Sequence, residues 1–464
     1  MTPIFAVVGH PNKGKSSIVA TLAEDESVRI SPEPGTTERC RRYPMRVDGE
    51  TLYTLVDTPG FQRARRVLAW LREHETTAAE RPAIVRCFAV AHRDDAVFRN
   101  ECELLEPVLA GAGILYVVDG SRPYGAEYEA EMEILRWTGQ PAMGLINMIG
   151  PGDFVEQWTT ALGQYFGIVR RFDALTAEFD RRIELLRAFG QLKPEWHDNL
   201  ERAVGGLLAD RRQRTRRAAL ALAEMLIDVL ALRVTKRVSS DADVDSLKKP
   251  LLAHYQARLR ERERGCWSAV EHIYGHYRLK RRATELEGVE GDLFSASTWS
   301  LFGLTRRQLL ASGALGGAAV GGGVDALTGG ASLLLGAGIG ALVGGASAWY
   351  SYQRIAKTRV FGLPLGGVEL QVGPMTSRNL PYVILGRALF HHAVVSRRSH
   401  ASRDRLDLER MAAAAGARHL DAEARKSLEG VFARVRRGGR SAVSAQEFGE
   451  VLEPLLGNER DRYR

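Results

Sequence analysis

Cysteine is scarce: the 464-residue chain has four, Cys40, Cys87, Cys102 and Cys266, and no C-x-x-C pair. That spacing points to free thiols in a reducing compartment. Acidic residues are a minority, 56 against 64 lysines and arginines, for a net charge of +8. So mild an imbalance suits an anionic membrane face or RNA and selects neither. An N-terminal leader is not expected, because an apolar run starts at Ile4 and leaves no room for a cleavable signal peptide. The N-terminal domain is therefore expected in the cytoplasm. Nor does one core suffice; a chain this long implies two or three domains.

What is present begins at once. Ile4–Val8 reads as a buried strand, and GHPNKGKS follows it: Gly9, His10, Pro11, Asn12, Lys13, Gly14, Lys15 and Ser16. This is G-x-x-x-x-G-K-[ST], a loop whose backbone N–H groups cradle phosphates between a strand and a helix. Ser17–Leu22 supplies the helix. Lys15 is placed for the β- and γ-phosphates, and the Ser16 hydroxyl for Mg²⁺. Cys40–Val47 and Thr51–Val56 read as two strands around an Asp48-Gly49 turn. The second strand ends in Asp57-Thr58-Pro59-Gly60. A carboxylate there can hold Mg²⁺ through water, and the Gly60 N–H can meet a γ-phosphate.

GHPNKGKS, then PGTT at Pro34–Thr37, then DTPG resembles the Era/TrmE-like translation-factor GTPases. The resemblance implies an α/β P-loop NTPase fold, a Ras-like G domain with a mostly parallel sheet. It implies that Thr37 is the switch I magnesium ligand beside Thr36, that Ser17 lies in the nucleotide site, and that Asn12 holds K⁺ where K⁺ is used. Lys15, Thr37 and Gly60 would carry the catalytic roles. Phe61 stands where many small GTPases have glutamine and cannot orient a water, so slow turnover is expected; Gln62, Arg63, Arg65 and Arg66 follow it.

The long segment from residue 61 to 112 should contain helices, with Val67-Leu68, Trp70-Leu71, Phe98, Leu104-Leu105 and Val108-Leu109 at helical spacing. It reads either as a switch II extension that conveys nucleotide state or as a packing insertion. Strands follow at Gly113–Asp119 and Ala142–Ile146. The latter ends in Asn147-Met148-Ile149-Gly150, where the family carries N-K-x-D: the Asn is kept and the guanine-reading Asp is gone. Asp153 lies three residues on, either a substitute or an exposed loop acid. After a last strand, Gly167–Phe172, the Ala174 N–H stands where the family meets guanine O6. A bacterial family with a domain of unknown function after an Era-like G domain shares DTPGFQ, AWLREHET, YVVDGSRPYG, LRWTG and NLPYVILGRAL.

The expected layout is a G domain over 1–190, a helical domain over 191–300, a Gly-rich hairpin over 301–355 and a basic α/β tail over 356–464. Strand signals are nearly missing between Glu195 and about Leu286, where Ala218–Leu232 reads as a buried helix. Arg211–Arg217 and Arg258–Arg264 are basic clusters that suit lipid, RNA or a solvated face. Leu309–Tyr350 has thirteen glycines and one charge, Asp325. Gly313, Gly317 and Gly321, then Gly336, Gly340 and Gly344, recur every fourth residue, the small-xxx-small spacing of closely packed helices. Arg306, Arg307, Arg354, Lys357 and Arg359 flank the stretch, which places both ends at the cytoplasmic face if it inserts in the inner membrane. A soluble Gly hairpin is the competing reading. Val368–Val372 and Pro381–Leu385 read as short strands, and Leu428–Leu456 as helix–loop–helix.

Three functions compete on this reading: a slow, membrane-associated GTPase switch; an RNA or ribosome-assembly GTPase; and a nucleotide-binding structural protein with relaxed base specificity. GTP or GDP with Mg²⁺ is common to the first two. An unknown protein partner and self-association are compatible with all three.

Overall fold

The computed structural model describes residues 2–23, 39–47, 49–174, 179–239, 243–276, 350–354, 359–360, 363–364, 367–375, 380–397 and 422–457. Thr36, Thr37 and the Gly-rich stretch before Tyr350 lie outside the described residues. Two compact units divide the chain, one built on Met1–Arg212 and the other mainly on the residues from Gln213 onward.

The first unit is a six-stranded sheet with helices on both faces. Its strands are β1 (Ile4–Val8), β2 (Arg41–Val47), β3 (Glu50–Asp57), β4 (Gly113–Asp119), β5 (Ala142–Asn147) and β6 (Ile168–Arg171). Their order is β2-β3-β1-β4-β5-β6. β2 and β3 form an antiparallel hairpin, and every other pairing is parallel. β1 shows why its residues are apolar on both sides. Phe5 and Val7 enter the core under α1 (Lys15–Ala23), while Ala6 and Val8 enter the core on the opposite face. A parallel strand covered on both faces reads as a continuous apolar run.

Helices do fill the segment after β3. They are α2 (Ala64–Glu73), α3 (Arg81–Ala91) and α4 (Arg99–Leu109). α2 buries Ala64, Val67, Leu68 and Leu71, spaced i, i+3, i+4 and i+7, which is one helix face. Val85 and Phe88 of α3 and Leu104, Leu105 and Val108 of α4 join the same core. α5 (Glu129–Trp137) and α6 (Val155–Leu162) complete that face. α7 (Phe179–Gly190) lies in the core that contains α1.

α8 (His197–Ala231) gives Leu200, Ala203, Val204 and Leu207 to the first core, and its residues from Ala218 onward to the second unit's core. The second unit is mostly helical, as expected. α9 (Val244–Ile273) follows β7 (Val234–Ser239), and β8 (Tyr350–Arg354) precedes a short antiparallel pair, β9 (Arg359–Val360) and β10 (Leu363–Pro364). β11 (Gly367–Val372) is the middle strand of an antiparallel sheet ordered β7-β11-β8. α10 (Leu380–Arg397), α11 (Ala422–Gly438) and α12 (Ala445–Leu456) come last.

Two sequence expectations fail here. Pro381–Leu385 is not a strand but the start of α10, where Pro381 sits in the first turn and has no N–H to lose. The β-branched window misled because burial continues through Ala388, Phe390 and Val394, which is helical rather than alternating. β7 lies in the region read as nearly free of strands, and among the described residues it pairs only with β11, more than a hundred residues away. Four of the nine arginines in the basic clusters have acidic partners: Arg211 with Asp180, Arg216 with Glu453, Arg258 with Glu261 and Arg262 with Asp228. That favours the solvated-face reading. No helix among the described residues is long and apolar enough to cross a membrane; the glycine hairpin is not among them.

Candidate functional site

The loop between β1 and α1 takes backbone conformations that its sequence permits. Gly9 has φ 142° and Gly14 has φ 81°, and Asn12, at φ 60°, is a residue type that tolerates the left-handed region. Space is as restrictive as torsion. A Cβ on Gly9 would come within 2.5 Å of the Val117 carbonyl oxygen, and one on Gly14 within 2.2 Å of Asn147 Nδ2.

Lys15 is 8% exposed, and its ammonium donates to the carbonyls of Gly9 at 3.1 Å and His10 at 2.9 Å. Two of its three N–H donors are thereby fixed by the loop itself. Burial pushes its pKa down to about 8, opposed by the nearby Asp57 carboxylate. The Ser16 hydroxyl donates to Asp57 Oδ2 at 2.9 Å. Asp57 ends β3 and is 2% exposed. Two hard oxygen donors this close fit a magnesium ion, which prefers oxygen ligands and retains several waters.

The segment after β3 lies against the loop. Phe61 N–H donates to the Gly9 carbonyl at 3.3 Å, and a Cβ on Gly60 would meet Pro11 at 2.7 Å. Thr58 is held by its hydroxyl on the Val7 carbonyl at 2.8 Å. The Phe61 ring is a buried core residue, while Gln62, Arg63, Arg65 and Arg66 are exposed. Ser17 is half-buried in α1.

Asn147 joins three parts of the site. Its Nδ2 donates to the Lys13 carbonyl at 3.3 Å, and its Oδ1 accepts the Ala174 N–H at 3.1 Å. The Ala174 carbonyl in turn accepts the Thr21 hydroxyl at 2.8 Å. The Lys13 side chain turns inward, 4.0 Å from Asp119 Oδ2 and 5.6 Å from the Tyr128 ring centre. Its burial lowers its pKa, against the pull of Asp119. Asp153 accepts the Val155 N–H at 3.2 Å at the start of α6. Ile149 is exposed, and its Cδ1 lies 3.6 Å from where a Gly14 Cβ would be.

Three buried acids here have no place in the sequence reading. Glu131 of α5 meets His10 Nδ1 at 2.8 Å and accepts the Tyr116 hydroxyl at 2.9 Å. Asp119 accepts the Ser121 N–H at 3.0 Å and the Ser121 hydroxyl at 2.5 Å. Glu101 of α4 accepts the N–H groups of Gln62 and Arg63. Asp119 had a signal, a carboxylate closing an apolar strand beside a P-loop. Glu131 is one of four alternating acids, Glu127 to Glu133, and Glu101 one of three in α4, so nothing local marks either.

Residues 159–450 match the family model described as "Domain of unknown function (DUF3482)". Residues 4–147 match one described as "50S ribosome-binding GTPase". Among curated proteins, the chain is similar to GTPase Der of Caldanaerobacter subterraneus subsp. tengcongensis, 27% identical over 213 residues, 44% of this chain and 42% of that protein. With GTPase Der of Halorhodospira halophila it shares 33% identity over 119 residues, 25% of each. The chain thus spans less than half the length of these relatives. Among solved structures, Aquifex aeolicus Era bound to GDP.AlF4- is similar with a TM-score of 0.30 and 17% identity, over 59% of this chain and 90% of that one.

Proposed function

This chain belongs to the DUF3482 family, and from that premise we propose that it is a slow GTP-dependent switch. Its Mg²⁺–nucleotide site would be the junction of the P-loop with Asp57–Gly60. The observation that supports this most is the Ser16–Asp57 hydrogen bond, which joins the two motifs at one point beside the anchored Lys15.

Ser16 would coordinate Mg²⁺ directly and Asp57 through water, with Thr37 as a third contributor. The ion would neutralise charge on the β- and γ-phosphates. Lys15 would direct its remaining N–H at the same phosphates, and the loop N–H groups of His10 and of Asn12 through Ser17 would enclose them. Gly60 offers its N–H to the γ-phosphate, and Thr36 lies beside the magnesium threonine. Phe61 keeps its ring in the core and its N–H on Gly9, so it orients no water, and turnover is slow. Asn12 is the position for K⁺.

Asn147 and Ala174 hold the base side of the site together, with no carboxylate at Gly150 to accept from guanine. Asp153 already serves the start of α6. GTP is the proposed ligand, with weaker discrimination against other bases than an aspartate would give.

For the output, we infer delivery to a membrane through the Leu309–Tyr350 hairpin, supported by its glycine spacing and basic flanks. The description of the matched N-terminal family model, a 50S ribosome-binding GTPase, favours a second reading, a ribosomal partner. Fractionation separates them: recovery with membranes supports the first, and salt-sensitive co-sedimentation with ribosomal subunits the second. The nucleotide assignment is tested by binding and turnover of GTP, ATP and XTP in K⁺ and in Na⁺. The expected result is tightest binding of GTP and slow hydrolysis, faster in K⁺. Equal affinity for all three would support a nucleotide-binding structural protein, and no binding would refute the proposal.

A further inference from the structure

One short helix turn meets the segments next to both switches. Glu101, fully buried in the first turn of α4, places Oε1 on two backbone N–H groups, Gln62 at 2.8 Å and Arg63 at 2.6 Å. These groups lead into α2, whose N-cap, Arg63, has no side-chain cap of its own. A carboxylate at a helix N-terminus satisfies orphan donors and the positive end of the helix dipole. Here it comes from a helix almost forty residues away in sequence. Two residues along, Glu103 Oε1 accepts the Cys40 N–H at 2.8 Å, and the Glu103 carbonyl accepts the Cys40 thiol at 3.1 Å. Cys40 lies three residues beyond Thr37.

We propose that α4 couples the segment entering α2 to Cys40, next to the start of β2, and that Glu101 is a positioning residue for the Gly60 N–H. The proposal rests on the reading of the site as a GTP switch. Gln62 is two residues from Gly60, and the intervening Phe61 is itself bonded to Gly9. The Gly60–Arg63 backbone is therefore held at two points, the P-loop on one side and α4 on the other. With Glu101 in place, Gly60 meets a γ-phosphate without first ordering the chain behind it. Glu101 Oε2 is also buried, with no hydrogen-bond partner among the described residues.

Cys40 is the natural reporter for the other end of α4. Burial beside Glu103 pushes its thiol up to about 12, so it alkylates slowly while the contact holds.

Glu101→Ala and Glu101→Gln test the proposal, with GDP, a non-hydrolysable GTP analogue and GTP turnover as readouts. Glu101→Ala is expected to weaken the analogue and lower kcat by about tenfold each, while GDP, which has no γ-phosphate for Gly60, changes less than about twofold. Glu101→Gln keeps an acceptor of the same shape without the charge, and should fall between wild type and Ala. In the unaltered protein, alkylation mapped to Cys40 should be slower with the GTP analogue than with GDP. Equal weakening of GDP and analogue with kcat unchanged would reduce Glu101 to a structural residue and overturn the proposal. Identical Cys40 alkylation in the two nucleotide states would overturn the coupling. A wild-type protein that binds neither nucleotide would refute the underlying switch reading, a result distinct from either.

Discussion

The two units hold their buried polar groups differently, although Lys13 and Asp119 also approach to 4.0 Å in the first. In the first, buried polar groups bond to the backbone of one loop: Lys15 to two carbonyls, Asn147 to a third, and Thr58 to the strand beneath. In the second, charge closes on charge. Arg387 of α10 and Glu263 of α9, 3% and 4% exposed, form a two-point pair at 2.6 and 3.2 Å. The guanidinium lies 5.3 Å from the Trp267 ring centre, on whose other neighbour, His391, the ring also stacks. His391 then meets Glu271 at 3.2 Å, and Tyr274 meets His392 at 2.8 Å, so the same two helices are joined again further along. The difference is instructive. A lysine tied to carbonyls keeps a donor and its charge for a ligand, whereas a closed ion pair keeps nothing and instead specifies which helix faces meet. That buried pairs serve specificity more than net stability is a general expectation, applied here as a hypothesis.

The largest effect should come from Lys15→Ala. Triphosphate affinity should drop by about a thousandfold, about 4 kcal/mol, with the second unit's unfolding unchanged. Calorimetric titration beside thermal melting checks both halves of that statement. Arg387→Ala should do the reverse. Leaving Glu263 buried alone costs about 3–5 kcal/mol, read as a lower denaturant midpoint, while nucleotide affinity stays as it was. Burial already raises the Glu263 pKa, against the pull of Arg387, so removing that arginine leaves only the weaker pull of Arg260 to offset it. Replacing both partners by apolar residues of similar size should restore most of the loss; failure to do so would mean that the pair itself is strongly stabilising.

Gly14→Ala is the next step down. The residue must adopt φ 81° and would press on Asn147 Nδ2, which ties Lys13 and Ala174 together. About 1–3 kcal/mol of strain is expected, with nucleotide affinity down about tenfold. The smallest effect is on pH. The folded-state pKa of Lys15, about 8, lies below its ordinary value of 10.5 because of burial. Below pH 8 the lysine is protonated in folded and unfolded chains alike, and the burial cost is felt in full. Between about 8 and 10.5 the folded protein loses the proton first, so the unliganded protein should gain stability as pH rises. Nucleotide affinity should fall over the same window, because the phosphates need the ammonium. Opposite slopes for stability and affinity, measured together, would identify Lys15; parallel slopes would not.

Local pattern made one half of the site legible and contact across the chain hid the other. Gly9–Ser16, Asp57–Gly60 and Asn147 each announce themselves within a strand-to-loop sequence, and the structure brings them together. Glu101, Glu103 and Glu131 act on partners far from them in sequence, and each sits among other acids on a helix that would look the same if solvated. The same reason hid β7, whose partner is β11. Pro381–Leu385 failed differently: five residues could not distinguish the first turn of a buried helix from a short strand, and the eighteen-residue length of α10 decides it.

In the proposed switch, Ser16 and Asp57 make one magnesium–nucleotide site out of two motifs. The most direct measurement is the affinity for a non-hydrolysable GTP analogue with and without Mg²⁺, in the unaltered protein and in Asp57→Ala. Mg²⁺ should tighten binding by about tenfold or more in the unaltered protein and have almost no effect in the variant, whose magnesium-free affinity stays close to wild type. Equal enhancement by Mg²⁺ in both proteins, or none in either, would contradict it.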